Sequence, residues 1–229
     1  MKPFLKNLGR IALILLAAVL MVEFVQPAAE AATSYLFNSP DLAGSVLLGV
    51  TSLTALKNIP DQAPNPAGVR RIFAILVADM DETVVDWPKL EDITAGAVTV
   101  AIPLKAGKTL ATIVPADNSA EGMFENQGDR YYQSYKHGIS FDIAGNRPEQ
   151  KTEAAKFVNA GCIFLVEQYD GQIDVHGTKL SPIVLKQKGQ TGKKGGDKRG
   201  RTFSGDNDNY IFEPPVYPST LALPLPVVV

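Results

Sequence analysis

Cys162-Ile163-Phe164-Leu165-Val166-Glu167-Gln168-Tyr169, then Asp170-Gly171, then Gln172-Ile173-Asp174-Val175-His176, is the stretch that decides the fold. An apolar run rich in β-branched and aromatic residues precedes Asp-Gly, and an alternating run follows it. That order predicts an antiparallel hairpin, with Asp-Gly supplying the positive φ angles of a type I′ turn. Cys162 lies inside the apolar run and reads as a small buried hydrophobe rather than a nucleophile.

Working outward, Arg70-Arg71-Ile72-Phe73-Ala74-Ile75-Leu76-Val77 predicts a central strand that ends in an acidic turn at Asp79, Asp81 and Glu82. Ala97 to Ile102 and Thr109 to Val114 predict two strands joined as a hairpin through Gly107. Met123 to Glu125, Arg130 to Lys136 and Ile139 to Ile143 add strands, separated by Gly128-Asp129 and His137-Gly138. One helix interrupts the series, with Asn146 as cap, Pro148 in the first turn, Ala154, Phe157 and Val158 as its apolar face, and Gly161 as its stop.

Beyond the hairpin, Leu180 to Leu185 predicts a strand that Pro182 places at an edge or bulge. Lys186 to Arg201 is Gly-rich and basic and reads as a mobile loop. Short strands are expected near Arg201 to Ser204 and Asn209 to Phe212. About ten strands and one helix make the fold class mostly β: a β-sandwich or barrel with one flanking α-helix, plus an N-terminal apolar helix. The expected organisation is an apolar segment over residues 1–57, a Pro-rich linker over 58–68, the β-domain over 69–213 and a Pro-rich tail over 214–229.

Composition narrows the function. The 229 residues, 45% of them hydrophobic, can fill one core. A formal charge of -2 supplies no global field for nucleic acid or an anionic membrane. One cysteine excludes an internal disulfide framework, and two histidines exclude the usual Cys/His zinc sites. No cofactor is implied.

At the N-terminus, Lys2, Lys6 and Arg10 precede the apolar run Ile11 to Val25, and Pro27 and Ala29 to Ala31 follow it, which is the layout of a secretory signal peptide. The run spans 15 residues, whereas a membrane-crossing helix needs about 20. Three other readings stay open for residues 11–25: a helix packed on neighbouring subunits, a membrane-associated virion segment, and an extension upstream of the true start.

Several motifs reduce to turns. Ala106-Gly107-Lys108-Thr109 lacks the earlier glycine of a phosphate-binding loop. Asp79-Met80-Asp81-Glu82 has no partner base, and Asp206-Asn207-Asp208-Asn209 lacks the spacing of a calcium loop, so both read as polar turns. His137 and His176 stand beside glycines and read as surface or turn histidines without a nucleophile nearby. No catalytic set can be named, so the chain reads as non-enzymatic.

Two groups read as contact surfaces. Arg130, Tyr131, Tyr132 and Tyr135 suit an interface strand, since tyrosine and arginine are enriched where subunits meet; stacking on single-stranded bases is the alternative. Lys186, Lys188, Lys193, Lys194, Lys198, Arg199 and Arg201 face a lone Asp197 and suit contact with an acidic patch on an adjacent subunit, or with phosphates.

From Pro66 to Pro218 the order of features resembles the tail-tube-like virion proteins of phages and prophages of Bacteroidetes. Pro66-Ala67-Gly68-Val69-Arg70-Arg71-Ile72 opens it, Ile102 to Thr109 resembles a Leu-Lys-x-Gly-Lys segment, and Gly128-Asp129-Arg130 with Ser134-Tyr135 resembles the central signature. Asp170-Gly171, His176-Gly177, Thr191 to Lys194, Asp197 to Gly200 and Pro215-Val216-Tyr217 complete the series. Residues 1–57 depart from this pattern. The resemblance implies a self-assembling virion subunit without catalytic residues, formed in the host cytoplasm. Its sheets would join across copies into hexameric rings stacked as a tube, beside other virion proteins, with DNA passing through the lumen without sequence specificity. The rival expectation is an exported or membrane-anchored bacterial β-domain that acts as a binding module.

Overall fold

A computed structural model describes residues 64–226, so the expected helix and membrane contact within residues 1–57 lie outside the described residues. Eleven strands follow in order: β1 (Val69–Leu76), β2 (Ile93–Thr94), β3 (Ala97–Val98), β4 (Ala111–Ile113), β5 (Glu121–Gln127), β6 (Ser134–Ala144), then helix α1 (Pro148–Ala155), β7 (Gly161–Gln168), β8 (Ile173–His176), β9 (Ile183–Val184), β10 (Lys186–Gln190) and β11 (Gly200–Tyr210). They make a five-stranded sheet ordered β4-β1-β7-β8 with β9 also on β7, a four-stranded sheet ordered β10-β11-β6-β5, and the small pair β2-β3. Every strand-to-strand ladder is antiparallel.

The apolar run of β7 is continuous because both of its faces are covered. Cys162, Phe164 and Val166 point toward the four-stranded sheet and meet Ile139, Phe141 and Phe203. Ile163 and Leu165 point the other way, into a second core with Trp87, Leu110 and Tyr217. β1 does the same, with Ile72 and Ala74 on one face and Phe73 and Ile75 on the other. Alternation along a pleated strand therefore divides one hydrophobic run between two cores, each large side chain contributing about 1.5–3 kcal/mol by burial. The outer cover of the second core is irregular chain, including the proline-rich segment from Pro214 onward, where Val216 bridges Ala97 and Asp174 singly.

The Asp-Gly hairpin forms, but not through a type I′ turn. Gly171 alone of the two turn residues has positive φ, at 91°, and its N–H donates to the Gln168 carbonyl. This is a longer loop with a glycine bulge, which lets the Asp170 carboxylate accept the Gln172 N–H and keep its own φ negative. The hairpin expected over Ala97 to Val114 does not form. Ala97–Val98 pairs with Ile93–Thr94, and Ala111–Ile113 pairs with β1. A long-range partner with a buried face outcompetes the local turn. The helix is capped from Arg147 rather than Asn146, with the Gln150 side chain accepting the Arg147 N–H, and Val158 falls in a turn beyond it, 56% exposed.

Candidate functional site

The four-stranded sheet ends in two strands, β5 and β10, that lie open at its margins. Its inner face carries Ile139, Phe141 and Phe203 against β7. The strand registers place Lys186 opposite Ser204, Lys188 opposite Thr202, Thr202 opposite Asp142 and Glu121 opposite Ser140, so these residues share the outer, polar face. There Thr202 Oγ1 donates to Asp142 Oδ1 at 2.6 Å, and Lys136 pairs with Asp206 at 2.9 Å.

Its two outermost strands differ in charge. β10 is exposed throughout and carries Lys186 and Lys188, whereas β5 carries Glu121 and Glu125, both exposed, with Met123 between them 42% exposed. Among the described residues neither strand has a partner on its far side. Each thus leaves a row of backbone donors and acceptors open, and each has the charge the other lacks.

The basic group is only partly a loop. Lys186 and Lys188 lie on β10 and Arg201 on β11, because the two strands pair across what reads in sequence as flexible Gly-rich chain. Arg201 is committed structurally: its guanidinium donates to Asn146 Oδ1 and to Gln187 Oε1, tying the hairpin to the entry of α1. Lys193, Lys194, Lys198 and Arg199 sit in the connecting loop, all exposed. Asp197 shapes that loop by accepting the Lys193 and Lys194 N–H groups at 2.6 and 3.0 Å. Among the described residues, Lys186, Lys188, Lys193, Lys194, Lys198 and Arg199 form no ion pair.

The expected interface strand is mostly a turn. Arg130, Tyr131 and Tyr132 precede β6, and the Tyr132 N–H closes a turn on the Asp129 carbonyl. Tyr131 has φ of 76° and lies under the Arg130 guanidinium, 4.9 Å from its ring centre. Tyr135 alone lies on the strand, half-buried. Gly128, at φ 101°, turns the chain before the tyrosines can continue β5, so Tyr131 and Tyr132 stand 84% and 82% exposed at a loop tip.

Scans of protein-family models, curated proteins and solved structures gave no match to this chain.

Sequence reading missed the histidines. His137 on β6 and His176 at the end of β8 are both buried, at 0% and 3% exposure, and meet edge to face with ring centres 5.8 Å apart. His137 stacks on Tyr210 at 3.9 Å, donates from Nε2 to the Phe212 carbonyl and accepts the Gly177 N–H at Nδ1. Burial lowers both pKa values, His137 to about 4 and His176 to about 3, so both rings are neutral near pH 7. His176 Nδ1 is buried and, among the described residues, has no hydrogen-bond partner. Glycine neighbours favoured a turn reading, yet Gly122 is what admits the ring: a Cβ there would stand 2.8 Å from His176 Nε2.

The remaining motifs carry structure. Asp79 pairs with Lys108 and Glu82 with Lys105 around the Gly107 turn. Asp206 to Asn209 belongs to β11 rather than to a turn, with the strand bulging between Asn207 and Tyr210. Cys162 is fully buried and its thiol is pushed up to about 12. Among the described residues no cluster of His, Cys, Asp and Glu is arranged to hold a metal, and no helix is long and apolar enough to cross a membrane.

Proposed function

We propose that this chain is a self-assembling structural subunit of a virus particle, a tail tube or similar tubular component, whose four-stranded sheet continues from copy to copy. The observation that carries the reading is the opposite charge of the two open edges of one sheet. Lysines on an edge ordinarily keep other strands away. Here Glu121 and Glu125 on the far edge convert that repulsion into a match. The four strands alternate in direction, so a copy related by rotation about an axis along the strands brings its β10 antiparallel to β5. Such a contact is head-to-tail and closes into a ring when the rotation allows.

In the register that sets Glu125 opposite Lys186, Met123 faces Lys188, with a glutamate diagonal to it on each side. The ring and tube fit the resemblance over Pro66 to Pro218. Within this reading the strands build the wall, function is geometry, and no residue is assigned a catalytic role.

Electron microscopy of the purified full chain tests the proposal: rings or tubes are expected. Lys186→Glu with Lys188→Glu is expected to abolish them, and adding Glu121→Lys with Glu125→Lys to the same chain is expected to restore them. Strictly monomeric protein at high concentration overturns the reading.

A further inference from the structure

A groove of about 500 Å³ opens beside β8, between the inner face of β5 and the edge of the five-stranded sheet. Val69, Phe124 and Val166 give it an apolar wall, and Asp174 and Glu213 an acidic one. Asp174 is held in place by the side-chain amides of Gln168 and Gln172, which donate to its two oxygens. Among the described residues it has no cationic partner. Burial, together with the charges of Asp170 and Glu213, raises its pKa.

His176, also lining the groove, is the second observation. It is 3% exposed; Nε2 stands toward Gly122 on the groove side, and Nδ1 is buried without a partner among the described residues. A neutral imidazole offers one acceptor nitrogen and one N–H donor, whereas carboxylates offer only acceptors. One N–H of each of the Gln168 and Gln172 amides is engaged on Asp174. Glu121, Asp174 and Glu213 give the groove its charge and only accept, so a long aliphatic stem ending in a cation fits both of its walls.

We infer that the groove receives the lysines of the β10–β11 loop, Lys193 and Lys194 first, from a second copy of this chain. The loop supplies what the groove lacks. Lys193, Lys194, Lys198 and Arg199 are exposed and, among the described residues, without carboxylate partners, and Asp197 has already folded the loop tip, which lowers the entropy lost on docking. In its own chain the base of the loop is pinned to the end of β6 by the hydrogen bond from the Gly145 N–H to the Arg199 carbonyl. This contact rests on the assembly reading and adds to it. Glu121 lines the groove as well as the open edge of β5, and in the register that sets Glu125 opposite Lys186, Gln190 of the paired copy faces it, so the loop that follows Gln190 arrives at the mouth of the groove and reinforces the edge contact.

Zero-length carbodiimide cross-linking, which joins a lysine amine to a carboxylate only where the two touch, tests it. Heavy-isotope-labelled and unlabelled full chains are mixed, assembled, cross-linked and analysed as peptides by mass spectrometry. The expected product joins Lys193 or Lys194 of one isotope to Glu213 or Asp174 of the other. It should be lost in Lys193→Glu with Lys194→Glu, a change at exposed positions that leaves the fold intact, while rings persist in the microscope. Assembled protein without this mixed product, or with the link only inside single chains, overturns the loop-and-groove contact and leaves edge pairing standing. Protein that never assembles overturns both.

Discussion

The two sheets of this protein are built from the same kind of strand and meet opposite fates. The five-stranded sheet is covered on both faces: β7 is buried from Cys162 to Glu167, and its neighbours pack against two separate cores. The four-stranded sheet gives one face to that packing and leaves the other polar, with β5 and β10 open at its margins. The difference teaches a division of labour. One sheet holds the molecule together, and the other has surface to give to a partner. Substitutions in the first should act on stability, and substitutions in the second on association.

The sharpest way to break this contrast is to open the shared core. Phe164→Ala, at a side chain fully buried between the sheets, should lower stability by about 3–5 kcal/mol in urea unfolding. An effect below about 1 kcal/mol would mean that the sheets do not pack as described.

Acid should act next most strongly, through the histidine contact that links β6 to β8. The unfolded chain takes up protons near the ordinary value of 6.5, whereas the folded rings resist until about 4 for His137 and about 3 for His176. Between these limits the unfolded state binds more protons, so the stability these neutral rings confer is present above 6.5 and is lost as pH falls toward 4. Unfolding measured at about pH 7 and about pH 4.5 should differ by roughly 2–4 kcal/mol from this source. His176→Leu should show a visibly smaller difference; equal pH dependence in both proteins would remove the histidines from the account.

A smaller effect is expected where the five-stranded sheet meets water. Glu167 is 6% exposed and takes a two-point hydrogen bond from the Arg71 guanidinium, with Arg70 at 3.5 Å. Glu167→Gln should cost about 1–2 kcal/mol, less than a fully buried pair because the arginines reach solvent. Double-mutant cycles with Arg71→Met would measure the coupling.

The smallest change in stability belongs to the open edges. Lys186→Glu with Lys188→Glu should move the unfolding midpoint by no more than about 0.5 kcal/mol, since both side chains are exposed. The same pair is expected to abolish assembly. A large loss of stability would place β10 inside the folding unit and erase the distinction between the sheets.

Much of the buried sheet is legible in the chain itself. A run such as Ile163 to Val166 has few places to go except between two layers, and Asp170-Gly171 fixes where it turns back. The strand from Arg70 is readable for the same reason. The hairpin across Gly107 was not, because β4 finds its partner in β1, nearly forty positions earlier, and local turn chemistry carries no record of that pairing. The basic segment reads as loop because lysine and glycine are poor strand formers, yet β11 offers an open ladder and β10 completes it. The tyrosines misled in the other direction: Tyr131 and Tyr132 have strand character and stand on a turn.

By itself, then, the sequence determined the mostly β class, the β7–β8 hairpin and the clustering of positive charge, since each depends on neighbours along the chain. Tertiary structure alone decided that His137 and His176 would be buried against one another, that Glu121 and Lys188 would stand on opposite margins of one sheet, and that Asp174 would have no cationic partner among the described residues. Those outcomes depend on which distant segments share a layer, and burial, edge exposure and charge pairing are properties of that arrangement rather than of any local run of residues.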